Sequence, residues 1–66
     1  MIECFIVEAV ERARKEHPEY NEQEAMDVLI EEVGEIARAR QEGNRDHARD
    51  EMLDAIAVLV RMWEGR

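Results

Sequence analysis

Residues 26–60 read MDVLIEEVGEIARARQEGNRDHARDEMLDAIAVLV, and both the fold and the chemistry of the chain turn on this stretch. Met26, Leu29, Ile30, Val33, Ile36 and Ala37 recur at three- and four-residue intervals, the mark of one helical stripe. Gly43 is placed as a left-handed C-terminal cap and Asn44 as the N-cap of a following helix. That third helix is expected from about Arg45 to Trp63, with Met52, Leu53, Ile56, Leu59, Val60 and Trp63 on one face. So short a connection folds the two helices into an antiparallel hairpin. Ala55, Ala57, Val58 and Met62 spread apolar character round the rest of the third helix, which therefore expects burial on most sides.

Upstream, Ile2, Phe5, Ile6, Ala9, Val10 and Ala13 form the stripe of a first helix, which Pro18 should end. Asn21 with Glu24 resembles an N-cap and its capping-box partner, so the second helix should begin near Glu22. The expected fold is all-α: a single domain over residues 1–66, with a three-helix subunit built on the hairpin. A chain of 66 residues buries only about 60% of its unfolded surface. Cys4 is the only cysteine, so no disulfide within the chain reinforces it. Oligomerisation, with or without a metal, is the remaining support, and a homodimer or homotetramer forming a helical bundle is expected.

Seventeen acidic residues against nine basic ones give a net charge of −8. That balance disfavours nucleic acid or an anionic membrane surface as the main partner. It leaves room for nucleotides, because bound cations invert the local sign. The opening Met1-Ile2-Glu3-Cys4 has no basic, uninterrupted apolar leader, and Ala55–Val60 is far short of the ~20 residues that span a bilayer. A cytoplasmic, reduced protein is expected.

The acids are not evenly spread. Glu31, Glu32 and Glu35 cluster on the second helix, Glu51 and Asp54 on the third, with fifteen residues between Glu35 and Glu51. A hairpin brings four of these carboxylates to one point, where their repulsion calls for a divalent cation. Acidic i,i+3 pairs are cheap in this composition (Glu8/Glu11 and Glu24/Asp27 are others), and one alone reads as a solvated face. Two pairs bordered by apolar residues on consecutive helices are a stronger signal, since buried carboxylates are costly unless paired or metal-bound. Arginines offer the alternative: Arg38, Arg45, Arg49 and Arg61 can neutralise the acids, as in Glu35–Arg38 or Asp54–Arg61. Each such helix-surface pair contributes only a few tenths of a kcal/mol.

Glu31-Glu32-Val33-Gly34-Glu35, followed by Glu51-Met52-Leu53-Asp54 with its apolar continuation, resembles the MazG-like all-α nucleoside triphosphate pyrophosphohydrolases. The resemblance covers roughly Met26 to Val60 and rests on the two-part spacing. It implies Glu32, Glu35, Glu51 and Asp54 as magnesium ligands, with manganese a substitute, and Glu31 hydrogen-bonded to a metal-bound or attacking water. Those five residues are then the catalytic set. The implied reaction splits a nucleoside triphosphate into a monophosphate and pyrophosphate, as in the removal of noncanonical nucleotides. Family members usually carry a further helix whose Lys, Arg or Asn residues meet the phosphates. No counterpart follows Trp63 in this sequence, so the expectation is a short member with Lys15, Arg49 and Arg61 as weak candidates for phosphate contact. Trp63 is a weak candidate for stacking on the base, although it also continues the apolar stripe. The competing reading is a non-catalytic acidic helical oligomerisation module.

Overall fold

Pro18 and two asparagines set the helix boundaries in the computed structural model, which describes residues 1–66. Helix α1 spans Ile2–Glu16, α2 spans Glu22–Gln41 and α3 spans Arg45–Glu64, and there is no strand. The Asn21 side chain accepts from the Glu24 backbone N–H at 3.0 Å, and Asn44 accepts from that of His47 at 3.1 Å. Each asparagine thereby satisfies one of the donors that a helix start leaves without a partner. Between α2 and α3, Gly43 has φ +74°, a conformation that glycine adopts without penalty. Its N–H donates to the Arg40 carbonyl at 3.1 Å, and that of Asn44 to Ala39 at 2.9 Å. This is the Schellman closure, and it turns the chain within three residues.

Helix α3 is the central element. Both α1 and α2 pack on it, and no Cα of α1 comes within 8 Å of one in α2. Leu53, Ala57 and Val60 meet Ile6, Ala9, Val10 and Ala13 of α1. Ala48, Glu51, Ala55 and Val58 fall about 180° round α3 at 100° per residue, facing α2. Two sides of α3 remain between these flanks, one carrying Asp54 and Arg61, the other Met52, Ile56, Leu59 and Trp63.

The buried residues are chiefly small ones: Ala9, Val10, Ala39, Ala48, Ala55 and Ala57, together with Arg61. Alanine lets helix backbones approach closely, and the chain is held by such seams rather than by a core of large side chains. The stripes of large residues thus have a different place from the one their spacing suggests. Met26, Ile30 and Val33 on α2, and Met52, Leu59 and Trp63 on α3, stay open to solvent. Ile2 and Phe5 on α1 are likewise exposed, while Ile6 is half-buried.

Gly34, in the interior of α2, has nothing within 4 Å of where a Cβ would stand. Helix α3 therefore does not require it. Replacing Gly34 by alanine should stabilise the fold by about 1 kcal/mol in urea unfolding, through helix propensity alone. A loss of stability would instead show another backbone packed against that position.

Candidate metal centre

The α2–α3 seam carries the acidic groups. Glu32 and Glu35 are one turn apart on the side of α2 that meets α3, and Glu51 is on the facing side of α3. One carboxylate oxygen from each of Glu32, Glu35 and Glu51 lies within 4.8 Å of the other two, and all three residues are half-buried. The Oε2 atoms of Glu32 and Glu51 are shielded from solvent and have no donor within reach. Such orphaned acceptors are costly, and they are satisfied either by a proton shared between carboxyls or by a cation.

All three groups hold their protons above the usual carboxylate range. For Glu32 the main cause is burial, reinforced by the charges of Asp54, Glu35 and Glu31 and opposed by a carboxyl contact with Glu51. Glu35 is raised by sharing a proton with Glu51 and by that neighbour's charge, while Arg38 and His47 pull it back. At Glu51, contact with Glu35 works downwards, but contact with Glu32, burial and the charges of Glu32 and Asp54 together carry it up. A dense, partly desolvated group of anions that would rather be neutral is what a divalent cation relieves.

Asp54 stands at the edge of this group. It is close enough to raise the Glu32 pKa, but its own carboxylate points to Arg12 of α1, 3.6 Å away. Glu31 is exposed on α2 next to Glu32 and adds its charge there. The structure therefore brings three of the four sequence-derived ligands together and sets Asp54 and Glu31 around them. The arginine alternative takes a different form from the one the spacing suggested. The ion pairs are Arg12–Asp54, Arg14–Glu64 and, when the imidazole is protonated, His47–Glu51 at 3.8 Å. None involves Arg38, Arg45, Arg49 or Arg61.

The candidate phosphate and base contacts are dispersed. Lys15 is exposed in the last turn of α1. Arg49 lines a cleft with Arg40, Arg45 and Met52 on the side of α3 turned away from the acids. Trp63 is 91% exposed at the C-terminal end of α3. Arg61, expected at the surface, is only 7% exposed and is committed within the fold. Its guanidinium donates to the carbonyls of Ala13 and Arg66 at 3.4 and 3.3 Å and sits 5.8 Å from the centre of the Tyr20 ring. A cation over an aromatic face at that distance is favourable, and this contact ties the α1–α2 connection to α3.

Two residues near the centre escaped the sequence reading. His47 is one turn before Glu51, and the i,i+4 spacing was the available signal. Arg12 is brought to Asp54 only by the packing of α1 on α3, and nothing local distinguishes it from the other basic residues. Arg12, Glu16, Glu32, Asp54, Val28 and Ala57 help line a groove of about 270 Å³ running from the acidic group between α1 and α2.

No family model, no curated protein and no solved structure matches this chain, and no helix is long and apolar enough to cross a membrane.

Proposed function

We propose that the chain is a magnesium-dependent nucleoside triphosphate pyrophosphohydrolase, acting in the cytoplasm as a homo-oligomer of antiparallel α2–α3 hairpins. The observation that carries this reading is the convergence of Glu32, Glu35 and Glu51, with two buried oxygens lacking any donor. Hard carboxylate oxygens without a thiol or a second histidine suit magnesium or manganese rather than zinc. The donor set fits such an ion. Glu32, Glu35 and Glu51 hold it directly, and Asp54 joins them or orients a water from the edge of the site.

A divalent ion held there supplies charge for the phosphates and lowers the pKa of an attacking water. The residues of the chain do the rest. Glu31 accepts a hydrogen bond from water at the rim, and Arg12 pairs with Asp54 and holds it turned along the groove. That groove leads from the acids over Ala57, and its arginine offsets part of the acidic field for an incoming polyanion.

Purified protein incubated with a panel of nucleoside triphosphates and magnesium should release monophosphate and pyrophosphate, and Glu35→Gln should release neither. Absence of both products from wild type at micromolar enzyme and millimolar magnesium would sink the enzymatic reading. The second reading, a non-catalytic oligomerisation module, draws on the exposed apolar side chains of α2 and α3. It predicts stability that depends on protein concentration and ignores magnesium.

A further inference from the structure

We infer that the cleft at the α2–α3 turn, lined by Arg40, Gly43, Arg45, Ala48, Arg49 and Met52, is a binding site for an oligophosphate anion, separate from the acidic seam. The anion is free pyrophosphate or the phosphate chain of a nucleotide. The site needs no metal and does not rest on hydrolysis at the seam.

Acids outnumber bases seventeen to nine in the chain, yet three of the nine bases line this one cleft and no acid does. Glu42 and Asp46 stand three residues before Arg45 and Arg49 and are the natural partners for them. Neither pairing forms: the ion pairs are Arg12–Asp54, Arg14–Glu64 and His47–Glu51. Three guanidinium groups therefore surround one opening with no carboxylate to answer them. Local helix rules sharpen the anomaly. Arg40, in the last turn of α2, suits the negative end of that helix. Arg45 opens α3, where the dipole disfavours a cation, and Arg49 follows at i+4, the spacing at which like charges repel. A sequence that breaks two local rules at one place, with no compensating contact in the fold, is expected where something outside the fold is bound.

Position separates these arginines from the metal centre. At 100° per residue, Arg45 and Arg49 stand about 120° and 160° round α3 from Glu51, and Arg40 about 140° round α2 from Glu35. A phosphate chain held by a cation at the seam does not meet them, so any anion they hold is a separate one. The cleft encloses about 490 Å³, within the roughly 300–1,000 Å³ of small-molecule sites. Gly43, with nothing within 4 Å of where a Cβ would stand, leaves its turn side open. Each guanidinium is a planar fork that donates paired N–H bonds to phosphate oxygens and stays charged at ordinary pH. An anion with several charges on adjacent oxygens answers three such forks at once, which a single carboxylate does not.

Titration with pyrophosphate in EDTA tests this, because without a cation the acids of the seam repel phosphate. Amide NMR signals of Gly43, Arg45, Ala48 and Arg49 should move, and those of Glu32 and Asp54 should stay still. Arg45→Gln and Arg49→Gln should each weaken the calorimetric affinity about tenfold, the scale of one charge-assisted hydrogen bond, with helical circular dichroism unchanged. Arg38→Gln, which removes an exposed arginine outside the cleft, should bind as wild type. No binding, signals that move only at the seam, or an equal loss in Arg38→Gln would each overturn the site. Should a variant unfold, the wild-type shifts decide alone. A glutamate-rich peptide that binds as tightly as pyrophosphate would overturn phosphate as the ligand. Tripolyphosphate and a nucleoside triphosphate, run in parallel, separate the two sources. Equal affinity assigns the phosphate chain alone, and tighter nucleotide binding with the same shifts assigns the nucleotide. Glu51→Gln should keep the full response, so the loss of hydrolysis and the loss of this site are scored separately.

Discussion

Magnesium should raise the melting temperature of the wild-type chain by roughly 10–20 °C at a hundredfold excess over its dissociation constant, at fixed protein concentration. A ligand that binds only the native state contributes about 2.7 kcal/mol at that excess, and each kcal/mol moves a domain of this size by about 4–8 °C. Glu51→Gln is the sharpest control, because Glu51 is the one member of the group contributed by α3. It removes the carboxylate that both Glu32 and Glu35 face, so two effects of opposite sign are expected. The metal-free variant should melt higher than metal-free wild type at neutral pH, since repulsion across the α2–α3 seam is relieved. Its gain from magnesium should nearly vanish. A salt-bridged acidic surface predicts neither result, and a Glu51→Gln variant that keeps the full magnesium response would remove the metal centre from this seam.

The sign of the pH dependence follows from the same contacts. Glu32, Glu35 and Glu51 bind protons more tightly in the folded chain than at their ordinary value of 4.5. The native state thus holds more protons than the unfolded state, and stability falls as pH rises. Their contribution is complete below about 4.5 and is lost as pH climbs through the raised values towards neutrality. Glu64, held below the usual range by its hydrogen bond from Arg14, works in the opposite sense and loses its contribution as pH falls. It is solvent-exposed, so salt screens that pair. Metal-free thermal melts from pH 4.5 to 7.5 should decline for wild type and flatten for Glu51→Gln. Magnesium, which needs the ionised carboxylates, should have its largest effect at the upper end.

What the sequence discloses about this fold depends on whether the cause is local. Asn21, Asn44 and Gly43 act on their own neighbours, so the helix boundaries could be read from the chain almost to the residue. The acidic group was legible because a short turn fixes which residues of α2 can face α3. Asp54 was assigned by spacing alone, and spacing does not reveal that Arg12, more than forty positions upstream, comes beside it. Hydrophobic periodicity misled in a specific way. It marks every apolar face of a helix without saying what covers it, and the largest stripes of α2 and α3 are not the ones that hold the three helices together. Alanines carry that role, and alanine is so common in helices that its placement gives no signal.

The alanine seams make the second large prediction. Ala57 is 2% exposed and packs between Ala9 and Val10 of α1, with Ile6, Ala13, Leu53 and Val60 around them. Ala57→Leu puts three more carbons where two backbones already approach, and overpacking of this kind costs about 1–3 kcal/mol. A core of so few residues supplies no more than about 3–5 kcal/mol, so the variant should lose roughly a fifth or more of its stability in urea. The loss should be local: α1 packs on α3 with no Cα within 8 Å of one in α2, and its amides should exchange with solvent well before those of α2. Val10→Ala alone is also destabilising, through the cavity it leaves. Combined with Ala57→Leu it returns volume to the same seam, so the double variant should be more stable than the sum of the two losses predicts. Strict additivity would place Val10 and Ala57 in separate environments and contradict the packing of α1 on α3. Magnesium should still stabilise the single variant, because Glu32, Glu35 and Glu51 belong to the other seam.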